Sequence, residues 1–297
     1  MAEQLCTIAS GHEVCYETFG DSAAPALLLT MGLATQMLGW HDDFCAELAG
    51  RGFFVIRYDN RDVGRSQKMT GRAPSLYQLL RRDKRAATYT LEDMAADAVG
   101  LLDHLGIERA HVVGASMGGM IAQTMAARHP ARVLSLVSMM SNTGARWSGQ
   151  PPVRMYGVLL KNPPRDRAGY QDHAVRLFST IGSPGFDRDD DELRRIAGKS
   201  FDRGLNPTGT LRQIAAIIAT GDRTPLLRTI TAPALVVHGS RDRLIPPSGG
   251  RATAKAILGA RLLIVEGMGH DLPRAAWPRL LDAIEQNAAR AGAPAAA

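Results

Sequence analysis

Short apolar runs ending in Gly, Asp or Ser alternate with longer segments of helical period, and this alternation constrains the fold more than any other feature. Runs that are apolar throughout, rather than every second residue, suit strands buried on both faces, and the intervening helices supply the cover. Such runs lie at 25–30, 53–59, 110–113, 133–137, 234–238 and 261–265. Helical spacing is expected at about 41–51, from 91 to Gly106, from 120 to 128, around 248–258 and near 274–290. Thr90 and the acids after it make a good helix start, because a Thr hydroxyl caps free N–H groups and carboxylates suit the positive end. Residues 67–89 are polar and basic and read as a loop or insertion. From 142 to 225 the character changes to Pro pairs and charged helices without a strand-like run. The expectation is an α/β chain with a mostly parallel sheet. Its core comprises residues 1–141 and 226–297, and an inserted helical cap covers residues 142–225.

Composition permits this. With 297 residues and 45% hydrophobic side chains, the chain can bury a core of the required size. The net charge of +6 comes from 35 basic and 29 acidic residues that are scattered, without aromatics interleaved among them, so nucleic acid is not expected as a partner. The densest run, Arg81-Arg82-Asp83-Lys84-Arg85, reads as a solvated face, with attraction to an anionic substrate or surface as the alternative. Cys6, Cys15 and Cys45 are odd in number and irregular in spacing, which suits reduced structural thiols rather than disulfides or metal ligands. A secretion signal is not expected, since the first twenty residues lack a basic stretch followed by an apolar one, and no apolar stretch approaches the roughly 20 residues of a membrane span. A cytoplasmic monomer or homodimer is expected.

Chemistry concentrates at Gly114-Ala115-Ser116-Met117-Gly118, a G-x-S-x-G pattern. The pattern alone is weak; its place between an apolar strand and a helix gives it weight, because a sharp strand-to-helix turn lifts the Ser hydroxyl clear of the sheet. A Ser hydroxyl needs a base, and in this type of site the chain order is Ser, acid, His. Four histidines follow Ser116. His129 precedes a helix-ending proline, His173 falls in the insertion and His238 lies inside a strand. His270, in Gly267-Met268-Gly269-His270-Asp271, follows the last strand in a flexible loop. Asp242 stands just past the strand at 234–238, whereas 138–144 holds no carboxylate. The oxyanion donors are expected to be the Met117 and Leu33 amides. Met155, Tyr156, Leu159, Phe178 and Phe186 are candidates for an apolar substrate pocket, with packing of the cap onto the core as the competing role for each. No cofactor or metal is expected: GASMGG lacks the second glycine of a dinucleotide loop, and His and carboxylates do not cluster.

Together these residues resemble the α/β-hydrolase family. The likeness spans nearly the whole chain: MG at 31–32, DNRDVGRS at 59–66, GASMGG at 114–119, GSRDRLIP at 239–246 and GMGH at 267–270. Within it the chain is similar to capped bacterial esterases related to aclacinomycin methylesterase. Met31 stands where many members carry His, and Asp62 where many carry Gly. The resemblance implies an α/β-hydrolase fold and a serine hydrolase acting on small to medium hydrophobic carboxylic esters, with small-molecule esters as its partners. C–C bond hydrolysis of ring-fission products, or a non-catalytic ligand receptor, are the alternatives.

Overall fold

Eight strands hydrogen-bond into one sheet in the order β1-β2-β4-β3-β5-β6-β7-β8 in a computed structural model that describes residues 2–159 and 163–292, the side chains of Tyr156 and Leu159 excepted. They are β1 (Gln4–Thr7), β2 (Glu13–Phe19), β3 (Ala26–Thr30), β4 (Phe54–Tyr58), β5 (Ala110–Ala115), β6 (Val133–Met139), β7 (Ala234–Gly239) and β8 (Arg261–Val265). From β4 to β8 every neighbouring pair is parallel, and the antiparallel β1–β2 hairpin completes one edge. The six apolar runs are the six parallel strands. The sequence reading overlooked β1 and β2 because they mix Glu, Thr and Tyr with apolar residues and lack a continuous run.

The apolar runs other than the edge strand β8 are buried on both sides because alternate residues enter different layers. Leu28, Ile56, Val112 and Leu136 join one core cluster, while Leu27, Leu29, Val55, Val113 and Val137 join the other. The helices are α1 (Asp42–Gly50), α2 (Leu76–Leu80), α3 (Leu91–His104), α4 (Met117–Arg128), α5 (Val153–Leu159), α6 (Arg167–Ile181), α7 (Asp190–Asp202), α8 (Pro207–Thr220), α9 (Thr224–Leu227), α10 (Ser248–Ala256) and α11 (Trp277–Ala289). The first layer contains Leu91, Met94 and Leu101 of α3 with Ile121 and Met125 of α4; the second contains Phe44 and Leu48 of α1 with Leu280 and Ile284 of α11. Thr90 caps α3 by accepting from the Asp93 N–H, and Asp93 returns the bond to the Thr90 N–H. The stretch at 67–89 is not wholly irregular: Ser75 opens the short α2 with a capping box, and a 3-10 turn follows at Lys84–Ala86.

Among the described residues, the segment between β6 and β7 holds α5 to α9 and no strand. Buried polar contacts tie it to the loop after β4. Arg203 Nη2 donates to Asp59 Oδ2 at 2.6 Å, and Arg203 Nε donates to Glu3 Oε1 at 2.7 Å. Asp62 accepts from Asn206 Nδ2 at 3.0 Å, Arg212 Nη1 at 3.2 Å and the Tyr89 hydroxyl at 2.9 Å. Asp62 has φ of 69°, which accounts for glycine at this turn in relatives; here Asp tolerates the left-handed backbone and adds three side-chain contacts.

Candidate active site

The loops after the parallel strands converge at the carboxyl edge of the sheet, where open α/β sheets form their crevices. Ser116 sits between β5 and α4 with φ of 57° and ψ of −119°, a strained conformation for a residue with a side chain. Its N–H donates to Met139 O at 2.9 Å, which anchors the turn to β6. The flanking glycines are steric necessities: a Cβ at Gly114 would lie 2.1 Å from Gly118 O, and one at Gly118 would lie 2.1 Å from Thr30 O. Only bare backbone lets the helix start so close to β3 and β5.

Ser116, His270 and Asp242 form a hydrogen-bonded chain. A carboxylate only accepts, so His270 Nδ1 donates to Asp242 Oδ2, at 2.7 Å, and Nε2 is left to accept from Ser116 Oγ, at 3.0 Å. Asp242 Oδ1 accepts from the Leu244 and Ile245 N–H groups at 2.9 and 2.8 Å, which fixes its plane. Burial works to raise the Asp242 pKa, but the His270 charge and hydrogen bonds from His238 and His270 overcome it and hold the carboxyl at about 2.

Two further groups sit behind this chain that the sequence reading did not assign to the site. His238 was set aside as a strand residue, yet its Nε2 donates to Ile245 O at 2.9 Å and lies 3.5 Å from Asp242 Oδ2. Its place four residues before Asp242 was the available signal. Ser183, just past α6, accepts from the Gly269 N–H at 2.8 Å and donates to Asp271 Oδ1. With the His270 N–H donating to Ile181 O at 2.8 Å and the Gly185 N–H to Gly267 O at 3.0 Å, the end of α6 grips the His270 loop along its length. Nothing in the local sequence marks that contact, because its partners lie 86 residues apart.

The loop after β3 brings Gly32 against the serine: a Cβ there would stand 3.0 Å from Ser116 Cβ. Leu33 follows, then Ala34 in a left-handed conformation with φ of 55°. Gln213 of α8 holds that bend, accepting from the Ala34 N–H at 2.8 Å while its Nε2 donates to Arg61 O at 3.0 Å. Met31 O accepts from Asn60 Nδ2 at 2.9 Å, so the main chain at this position is held without the histidine that relatives carry. Met117 is the first residue of α4, a position whose N–H has no acceptor within its own helix.

Ser116, His270, Leu33 and Met117 border a cavity of about 850 Å³. Phe178 and Phe186 line it, whereas Met155 is buried in the core cluster and is not among its described lining residues. The side chains of Tyr156 and Leu159 lie outside the described residues. Each cysteine is buried, and burial pushes the Cys15 and Cys45 thiols up to about 12, so neither offers a thiolate at neutral pH. Among the described residues no group of three His, Cys, Asp or Glu is placed to hold a metal, and no helix is long and apolar enough to cross a membrane.

A parallel sheet, a glycine-flanked serine on a strained strand-to-helix turn and a histidine–carboxylate pair behind it define a class that the sequence matches independently. The model of the alpha/beta hydrolase fold family matches residues 25–273, and the chain belongs to that family. Among characterised proteins it is similar to rhodomycin D methylesterase DnrP of Streptomyces peucetius, 31% identical over 293 residues, which cover 90% of this chain and 92% of that protein. It is also similar to 3-oxoadipate enol-lactonase 2 of Acinetobacter baylyi, 27% identical over 84% of each chain. Among solved structures, the enol-lactonase from Burkholderia xenovorans LB400 superposes with a TM-score of 0.72 at 25% identity, covering 97% of this chain and 99% of that one.

Proposed function

We propose that this chain is a carboxylic ester hydrolase that works through an acyl-enzyme on Ser116. The observation that carries the reading is the continuous chain from Ser116 Oγ through His270 to Asp242, with links of 3.0 and 2.7 Å. In the first half-reaction Ser116 Oγ attacks the ester carbonyl and His270 Nε2 takes its proton. The tetrahedral oxyanion forms against the Leu33 and Met117 N–H groups, which cost no reorganisation as charge develops. His270 then returns the proton to the departing alcohol. In the second half-reaction His270 takes a proton from water, the hydroxide attacks the acyl carbonyl, and Ser116 leaves with that proton. Asp242 keeps the proton of His270 on Nδ1 and stabilises the imidazolium in both halves.

Helices α5 to α8 serve in this reading as a cap over the cavity, spanning 142–225, with Phe178 and Phe186 meeting the substrate. The cavity is large enough for a bulky acid. The methylesterase relatives support an ester with its bulk on the acyl side and a small alcohol as leaving group. They also favour ester hydrolysis over C–C cleavage, for which an assay on a dienone ring-fission product is the direct check.

Initial rates on p-nitrophenyl esters of increasing acyl length, with wild type and Ser116→Ala side by side, test the assignment. The variant should lose on the order of 10⁴–10⁶ in kcat. A purified, folded Ser116→Ala protein with a near wild-type rate overturns it.

A further inference from the structure

No step of the proposed hydrolysis uses the basic run at 81–85, and its surroundings point to another role. Of the eight large hydrophobic side chains exposed among the described residues, five fall in two short segments: Leu76, Tyr77 and Leu80 of α2, and Trp147 and Val153. Trp147 and Val153 are 88% and 87% exposed. The same segments, 71–86 and 142–155, carry seven cations (Arg72, Arg81, Arg82, Lys84, Arg85, Arg146, Arg154) against one carboxylate, Asp83. Asp83 is spent locally, accepting from the Arg85 N–H at 3.0 Å.

The two segments adjoin in space. A Cβ on Gly144 would lie 2.0 Å from Gly221 O, and one on Gly221 would lie 3.4 Å from Lys84 Nζ, so the chain leading to Arg146 and Trp147 borders the basic run through a single residue. Leu80, Arg82, Gly144, Val153 and Gly221 all line the cavity, so this face surrounds an opening to it. None of these seven cations forms an ion pair among the described residues, whereas Arg51, Arg57, Arg61, Arg65, Arg128, Arg132 and Arg274 of the core each pair with a carboxylate. Arg146 instead lies over the Trp147 ring, 5.0 Å from its centroid, and Arg81 over Tyr77 at 5.6 Å.

We propose that this face docks on an anionic phospholipid bilayer. Unpaired cations match an anionic headgroup layer, and Trp and Tyr favour the depth at which headgroups meet acyl chains. The exposed aliphatic side chains decide between polyanions: a nucleic-acid backbone gives Leu76, Leu80 and Val153 nothing to bury against, whereas a bilayer does. Long Arg and Lys stems can lie along the apolar surface with their charges at the phosphates. Docked this way, the cavity mouth faces the lipid, and an apolar ester can enter it without first dissolving in water. The docking itself does not depend on the hydrolytic reading.

Trp147 supplies a local probe, since Trp40 and Trp277 are buried and the chain has three tryptophans. The full chain is mixed with vesicles of phosphatidylcholine alone or with a third of phosphatidylglycerol, and sedimentation and tryptophan emission are read. Binding with a blue shift is expected only on the anionic vesicles, weakened by added salt. The triple variant Tyr77→Ser, Arg81→Gln, Arg85→Gln should lose at least about tenfold in partitioning while hydrolysing a soluble ester at the wild-type rate. Arg261→Gln with Arg279→Gln, which removes two charges elsewhere, should bind as wild type. Failure to bind anionic vesicles, equal binding to neutral ones, equal loss in the control variant, or binding to a DNA duplex instead each overturns the proposal.

Discussion

Asp242 is in contact with two histidines, which do different work. His270 is the proposed base, while His238 has its Nε2–H committed to Ile245 O and lies 3.5 Å from Asp242 Oδ2, the oxygen that also accepts from His270. Since Ile245 also donates to Asp242, His238 holds both ends of the turn that aims the carboxylate. A hydrogen bond to a charged group contributes about 1.5–3 kcal/mol, and only part of that reaches the reaction. His238→Leu should therefore lower kcat about fivefold to tenfold with KM unchanged, and His238→Gln, which keeps a donor near Nε2, should recover most of the rate. Loss of folded protein alone would scale the active fraction equally in both variants; a wild-type kcat per folded molecule in His238→Leu rules the contact out as a positioning device. The residues proposed as the triad could be picked out because their constraints are local: glycines at 114 and 118 where backbone approaches within 2.1 Å, and a chain order that left one histidine. His238 and Gln213 were not, because a strand histidine and a helix glutamine look alike whether they support a site or merely fill a core.

At the scale of elements, the segment between β6 and β7, proposed as a cap, is also bonded to the His270 loop. The end of α6 holds the His270 loop through Ile181, Ser183 and Gly185, so the helix that contributes Phe178 also positions the proposed base. A cap that swings away at this edge would carry the His270 loop with it; opening is expected at other edges. Ser183→Ala removes the acceptor of the Gly269 N–H and the donor to Asp271, whose carboxyl burial already pushes up and whose bonds from Ser183 hold down. The variant should lose about tenfold in kcat with little change in KM and a Tm within about 2–4 °C of wild type. Ser183→Thr, which keeps the hydroxyl, should restore the rate; a rate left unchanged by Ser183→Ala would show that the loop needs no such support. The parallel strands could be read as elements because all but the edge strand β8 are buried on both faces and their sequences are predominantly apolar. The hairpin of β1 and β2 escaped notice because β2 carries Glu13, Glu17 and Thr18 among its apolar residues, and Glu17 is buried by pairing with Arg57 of β4, a contact no local pattern marks. The attachment of α7 and α8 escaped for the opposite reason: it rests on Asp59–Arg203 and Asp62–Arg212 pairs separated by about 150 residues, where no periodicity links the partners.

For the molecule as a whole, acid stability is set by what burial does to groups inside the sheet. His111 lies on β5, its Nδ1 2.9 Å from Ser135 Oγ and its ring edge-on to Phe53 at 5.7 Å. Burial pushes its pKa down from 6.5 to about 4. The folded chain therefore keeps His111 neutral while the unfolded chain takes up a proton below 6.5, so its contribution to stability is complete above that value. As pH falls from 6.5 through 4 the contribution is lost, on the order of 3 kcal/mol in all. Asp242 acts in a lower window: its carboxyl, held at about 2 against 3.8, stabilises the fold above pH 3.8 and loses that effect as pH falls through 2. The two windows meet near pH 4 without overlapping, which makes them separable. Urea unfolding measured at intervals from pH 7.5 to 4.5 should show wild type losing stability with a slope approaching one proton, and His111→Asn should flatten that slope. Identical slopes in the two proteins would mean that the acid sensitivity above pH 4.5 arises from groups other than His111.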